Sequence, residues 1–369
     1  KKIVGIIAAV AMAASVFALD ASAQLKMDGS LFDVQFADGA KVSALKLNQP
    51  SGRKPWGATG IDLNVNADKA GATINIAANK DGMVGYSLWI QPIDMLKVKF
   101  GDLDYCINKE DIDWSGCING TGSNGFGFDL TPADGLSFNL VLNPGFDNSW
   151  INAQKLGSTA FYAKYSADFG TIGAAWIYAA NPERDYTGWG IGKVNVPKFN
   201  TFSVGYGNTF GDVKVFADVA LGLSADGDVK DSFDTALFDL AFDAYVKYAK
   251  DAFSVTAYLC YKSDLAIGHS VKKYDLDVAF GAYNDLSAKA KLTYAFDGFT
   301  PYLYVNVADI LIDSDTTRMN IEIKPGVTFN IGSASCEIAV DIKNIGQDTK
   351  KGDKNPCSLS VPFGVTLGF

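Results

Sequence analysis

The chain has 369 residues, a net charge of −9 from 32 Lys and Arg against 41 Asp and Glu, one His, and much Gly (37), Phe (24) and Tyr (16). The acidic excess argues against nucleic-acid binding, which needs positive charge to displace counterions, and a lone His excludes multi-histidine metal sites. Past the N-terminus, no stretch supplies the roughly 20 consecutive apolar residues that a membrane helix needs.

Lys1 and Lys2 precede an apolar run over 3–19, and Ala21-Ser22-Ala23 has the A-x-A form of a cleavage site. This is the pattern of a secretory signal peptide. Cleavage is placed before Gln24, with Val16-Phe17-Ala18 as a competing site. An exported chain with no helical anchor is either soluble outside the cytoplasm or crosses a membrane as a closed barrel. No composition shift or Pro/Ser-rich linker marks a domain boundary. The expected organisation is a signal peptide over 1–23, an N-terminal segment over 24–59 serving as first strand or lumen plug, and one barrel over 60–369.

Over 24–59, LFDVQF and KVSALKLN are candidate strands with a turn at Asp38-Gly39. From Gly60 the alternation of apolar and polar residues sharpens. Ile61, Leu63 and Val65 alternate with Asp62, Asn64 and Asn66, and Val84, Tyr86, Leu88 and Ile90 alternate with Gly85, Ser87, Trp89 and Gln91. The turn PIDM leads to Leu96, Val98 and Phe100, and TPADG joins FGFDL to LSFNLVL. Further hairpins are expected at a glycine near 170, at Gly211-Asp212, at Lys250-Asp251 and at Asn284-Asp285. The connections over 102–125, 143–158, 181–200 and 224–235 are longer. Short turns at one rim and long loops at the other are the habit of outer-membrane barrels; a soluble sandwich has no reason to segregate loop lengths this way. Sixteen to twenty strands are expected, with 18 as the centre. The alternation as read leaves the chain ends on opposite rims, so one hairpin is misassigned, either near 285–300 or within 223–237.

The last segment, SLSVPFGVTLGF, puts Leu359, Val361, Phe363, Val365, Leu367 and Phe369 on one face and small or polar residues on the other. That is the length and pattern of a tilted membrane-spanning strand. Gly364, Leu367 and Phe369 resemble the C-terminal signal by which the barrel-assembly machinery recognises bacterial outer-membrane barrels, with a departure at Pro362. The architecture resembles porin-like outer-membrane β-barrels as a class, without fixing one family. The resemblance implies an all-β fold, a single transmembrane antiparallel barrel in the outer membrane of a diderm bacterium. Its implied partners are outer-membrane lipid, the assembly machinery and small hydrophilic solutes, with a homotrimer as a candidate assembly.

A barrel in lipid turns its apolar face outward. Phe238, Leu240, Phe242, Val246, Phe253, Val255, Leu259, Leu276, Val278, Phe280, Leu292, Tyr294, Ile321, Ile323 and Val327 are therefore expected to face lipid. The expected lumen lining is Lys97, Lys99, Asp239, Asp243, Lys247, Asp275, Asp277, Lys289, Lys291, Glu322, Lys324, Glu337 and Asp341. With a turn at Asn284-Asp285, Asp277 would oppose Lys291. Such pairs either hold strand register or line a constriction that sorts solutes by charge.

Cys106 and Cys117 share one loop and are a candidate disulfide in an oxidising compartment. Cys260 is expected inside, Cys336 outside, and five Cys leave at least one unpaired. Asp226, Asp228, Asp231 and Asp234 crowd one loop but match no calcium-loop spacing. His269 lies in a polar stretch without a nucleophile motif, and Gly205, Gly207 and Gly211 do not form a phosphate loop. No catalytic residue, metal or cofactor is therefore expected, and the chain is read as a non-enzyme. The expected function is a porin-type channel for passive diffusion of small hydrophilic solutes or ions, with a cation preference suggested by the acidic excess. A loop over 102–125 or 181–200 would narrow it. Alternatives are an outer-membrane transporter of fatty acids or other hydrophobic compounds, an adhesin or receptor with a blocked lumen, and a hydrolase using His269.

Overall fold

The computed structural model describes residues 20–36, 41–47, 60–77, 83–108, 121–143, 158–179, 183–186, 192–195, 199–224, 238–264, 283–308, 320–345 and 357–368. The strands are β1 (Asp20–Gln35), β2 (Lys41–Leu47), β3 (Gly60–Ala67), β4 (Ala70–Ala77), β5 (Met83–Ile93), β6 (Leu96–Tyr105), β7 (Thr121–Ala133) and β8 (Leu136–Asn143). Next come β9 (Ser158–Ala167), β10 (Gly170–Ala179), β11 (Glu183–Tyr186), β12 (Gly192–Asn195), β13 (Phe199–Phe210) and β14 (Val213–Ser224). The chain continues with β15 (Phe238–Lys250), β16 (Phe253–Asp264), β17 (Tyr283–Tyr294), β18 (Phe299–Ala308), β19 (Asn320–Ile331), β20 (Ala334–Ala339), β21 (Asp341–Ile345) and β22 (Ser358–Gly368).

Each strand pairs antiparallel with its neighbours, and the sheet closes where β22 meets β1, with Leu367 opposite Leu25 and Gly364 opposite Asp28. β2 and β3 lie end to end along β1, so they fill one lane. β20 and β21 fill another in one register along β22, interrupted at Val340, which lies opposite Pro325. The twenty segments of the sheet thus make a closed barrel of 18 lanes, the number expected. β11 and β12 form a separate hairpin outside this sheet. Residues 24–35 and 41–47 are wall strands.

One rim is closed by tight turns, among them 68–69, 94–95, 168–169, 211–212, 251–252 and 332–333. Gly332 takes a left-handed φ of 59°, and Asp251 reaches 51° without being glycine, as Asp tolerates in a turn. Two prolines sit where the ladder is interrupted, since they cannot donate to it. Pro362 lies opposite Ser30 at the β1–β22 bulge, and the Pro325 carbonyl accepts from the N–H of Val340 at the break between β20 and β21, with no N–H to give in return.

One expected hairpin is corrected. Asn284 and Asp285 do not turn; they lie inside β17, opposite Ser263 and Lys262. The pair lacks the glycine that a tight hairpin wants, and the period-two pattern runs straight through it to Leu292. The turn falls instead at 295–298. Lys291 therefore faces Thr256 and Tyr304, not Asp277. Losing the turn at 284–285 removes one crossing, and the resulting 18 lanes bring the start of β1 and the end of β22 to the same rim.

The two faces of the wall differ as a membrane barrel requires. On β15, Leu240, Phe242 and Val246 are exposed while Asp243 between them is 2% exposed. Phe253, Val255, Leu259, Leu292 and Tyr294 are also exposed, and Val204 is 61% exposed. Ile321, Ile323 and Val327 hold the same outward phase, half-buried. The side chain of Phe238, and Leu276, Val278, Phe280 and Phe369, lie outside the described residues. A protein in water hides large apolar patches; a barrel in lipid displays them.

Candidate functional site

The inner wall is defined by a path across it. Leu103 and Tyr105 of β6 and Ile107 just after it pack with Val141 of β8, Tyr162 of β9 and Ala175 of β10. Asn108 then donates from Nδ2 to Asp218 Oδ1 of β14 at 2.6 Å. A segment that leaves β6 and touches β14, six lanes away, crosses the inside of the barrel. Lys164 Nζ of β9 donates to the Cys106 carbonyl at 2.5 Å, holding the start of this segment. Burying Ile107 supplies roughly 1.5–3 kcal/mol, against about 0.5–1.5 kcal/mol for each hydrogen bond, so apolar packing leads and the polar contacts fix direction. This inward segment belongs to the first of the two expected constriction loops. The second, over 181–200, carries β11 and β12.

Strand register assigns the other residues. Lys97 and Lys99 on β6 share the phase of Tyr105. Asp243 and Lys247 on β15, Lys289 and Lys291 on β17, Glu322 and Lys324 on β19, Glu337 on β20 and Asp341 on β21 continue that phase lane by lane. The backbone of Asp239 pairs with Gly222 in the same phase. Asp275 and Asp277 lie outside the described residues.

These residues are brought together in part. Lys99 meets Asp129 at 2.6 Å, and Lys97 lies 4.2 Å from the centroid of the Trp89 ring. Lys324 is 3.3 Å from Glu337, to which Tyr302 also donates. Lys343 bridges Asp341 at 3.1 Å and Glu322 at 3.5 Å. Lys26 holds Asp62 at 2.5 Å. Opposite charges at matched positions are not the whole pattern: Asp218 directly opposes Asp243, and Lys214 opposes Lys247. Tyr258 donates to Asp243 at 2.9 Å. Lys214, Lys289 and Lys291 sit over the rings of Tyr245, Tyr258 and Tyr302 at 5.6, 5.6 and 4.8 Å. One third of the wall, β14 to β19, is thus a mosaic of lysine and tyrosine.

The Lys99–Asp129 contact is partly solvated, with side chains 34% and 17% exposed. A double-mutant cycle with Lys99→Met and Asp129→Asn, read by urea unfolding in lipid, should return a coupling of about 0.2–1 kcal/mol. A coupling above that range would mean that the lumen is drier than its charges imply.

Asp62, Asp129, Asp218, Lys26, Lys164, Lys214 and Lys343 also lie on the inner face and were not among the expected residues. Carrying the alternation lane by lane would have found them. Cys260 is buried in the inward phase and Cys336 is in the outward one. Cys117, His269 and Asp226, Asp228, Asp231 and Asp234 lie outside the described residues, as does the candidate disulfide with Cys106. Gly205 and Gly207 are inner-face wall residues on β13, opposite Asp218 and Phe216.

No family model matches the chain, and no curated protein sequence does. Solved structures do. Pseudomonas aeruginosa OccK1 (OpdK) matches with a TM-score of 0.56 at 12% identity, over 95% of this chain and 98% of that one. Pseudomonas aeruginosa OpdQ matches at 0.54 and 10%, over 96% and 98%. Pseudomonas aeruginosa OccK2 (OpdF) in complex with glucuronate matches at 0.54 and 9%, over 95% and 96%. At these identities the likeness is one of fold, and the fold is that of the porin-like outer-membrane barrels.

Proposed function

We propose that this barrel is an outer-membrane channel through which small hydrophilic solutes diffuse passively. The supporting observation is lane number together with sidedness. Eight strands barely house their own side chains, whereas about 16–18 leave an aqueous passage, and here 18 lanes turn their charged residues inward. Lys97, Lys99, Asp243, Lys247, Lys289, Lys291, Glu322, Lys324, Glu337 and Asp341 are proposed to line that passage, and the segment after β6 to narrow it. Single-channel recording in planar bilayers tests the reading: stepwise ohmic current is expected. A folded protein that passes no current would favour a blocked adhesin instead. Liposome swelling with sugars of graded size then measures the exclusion limit.

Charge preference is the finer question. The net charge of −9 supports a mild preference for cations. A second reading comes from the lysine-rich third of the wall, which favours solutes carrying a carboxylate, as the glucuronate seen with OccK2 does. Reversal potential in a KCl gradient separates the two. Cation selectivity supports the first. Anion selectivity that vanishes in a Lys214→Gln, Lys247→Gln, Lys291→Gln triple variant supports the second.

Export is proposed to remove residues 1–23. β1 would then begin at Gln24, which still pairs with both Gly368 and Asp62, so the seam closes without Asp20–Ala23. Mass spectrometry of the outer-membrane protein should find Gln24 at its N-terminus; an intact 1–23 segment would refute the cleavage. Assembly through Gly364, Leu367 and Phe369 and trimer formation remain proposals of the same kind, tested by truncation and by native mass.

A further inference from the structure

We infer that three glycines on the inner face of β10 and β13 form a built seat for the segment after β6, and that this seat sets the width of the channel. The inference rests on the channel reading above. Gly173 and Gly205 are cross-strand partners, and Gly207 is the next inward position on β13. A Cβ at Gly173 would fall inside the Ile107 side chain. At Gly205 it would sit 2.9 Å from Ile107 Cγ2 and would collide with Asp218, and at Gly207 it would sit 2.7 Å from Asn108 Oδ1. Real Cβ atoms do not approach heavy atoms so closely, so at 173 and 207 the segment itself excludes a side chain, while at 205 Asp218 of the wall sets the tighter limit and Ile107 the next. None of the three has a backbone φ in the left-handed region, so conformational freedom does not explain them. A single glycine on a strand relieves crowding; three adjacent ones matched to two consecutive loop residues form a slot.

Two polar contacts close the slot from either side. Asp218 receives Asn108 at 2.6 Å from β14, and Lys164 grips the Cys106 carbonyl at 2.5 Å from β9. The segment is therefore held on four strands, β9, β10, β13 and β14, far from the strand that delivers it. Gly173, Gly205, Gly207, Asn108 and Lys164 are positioning residues: they act on solutes through the place of the loop.

The test uses two variants of opposite steric sign. Gly173→Val fills the slot, and the Asn108→Ala, Lys164→Met double variant removes the polar grips without adding bulk to the wall. Both should raise single-channel conductance and shift the sugar exclusion limit upward. Ala174→Val, which points outward from the same strand, should change neither. Combining Gly173→Val with Ile107→Ala should return conductance toward wild type, a coupling that general wall damage would not produce. Unchanged or reduced conductance in both variants overturns the seat. Where the wild type passes no current, the channel reading fails on its own account. The seat is then judged by stability: Gly173→Val should lower the unfolding temperature and Ile107→Ala should restore it, and additive losses would overturn it.

Discussion

Arginine in place of Phe242 should destabilise the folded barrel by about 2–4 kcal/mol when unfolding is followed by urea titration in lipid vesicles. Phe242 sits near the middle of β15, is 36% exposed, and stacks on Tyr261 of β16 with ring centroids 5.2 Å apart. Its outward phase is shared by Val219 on β14, which it faces across the ladder. At mid-strand depth there is no nearby headgroup layer for a guanidinium to reach, so the charge must thin the bilayer or drag water in. Ala241 is one residue away and faces inward opposite Ala220. Ala241→Arg places the same head in lumen water and should cost clearly less, while altering conductance. The ratio of the two costs reads sidedness directly. Should Ala241→Arg prove the more damaging, the apolar face would be the packed interior of a soluble protein, and the membrane reading would fall.

Sidedness was the most legible property of the chain, because it needs only the period-two alternation of single strands. Leu240, Phe242 and Val246 against Asp243 and Lys247 state it without any tertiary information. Barrel closure and lane number were also within reach, since hairpin turns such as Asp94-Met95 and Gly211-Asp212 advertise themselves. Asn284-Asp285 misleads because its turn-like composition interrupts nothing: the alternation runs unbroken from Asp285 to Leu292. What stayed hidden depends on the third dimension. Asp218 against Asp243, and Lys214 against Lys247, are pairs fixed by register between strands joined by a long connection. The glycines at 173, 205 and 207 give no hint of their occupant, since Ile107 and Asn108 arrive from β6, four lanes before β10 and five before β13. No local pattern encodes such a meeting.

Tyr162→Ala is expected to have the other large effect, about 3–5 kcal/mol, the usual cost of deleting a large buried ring. Tyr162 lies on the inner face of the wall and is 0% exposed. Its ring stacks on Tyr105 at 6.1 Å, and its hydroxyl donates to the Tyr105 carbonyl at 3.2 Å. Leu103, Ile107, Val141, Ala160 and Ala175 complete the cluster. This is a small dry core against the inner wall, roofed by the segment that leaves β6. Tyr162→Phe keeps the ring and loses one hydrogen bond, so it should cost about 0.5–1.5 kcal/mol. The alanine variant also removes the platform beneath Ile107, so its loss of stability should come with a wider channel, whereas the phenylalanine variant should keep wild-type conductance. If Tyr162→Ala lost stability with no change in conductance, the core would support the wall alone, and the inward segment would owe its position to the glycine slot and its polar grips. If both changed together, packing under Ile107 and the slot behind it would act as one clamp, with the ring setting its depth.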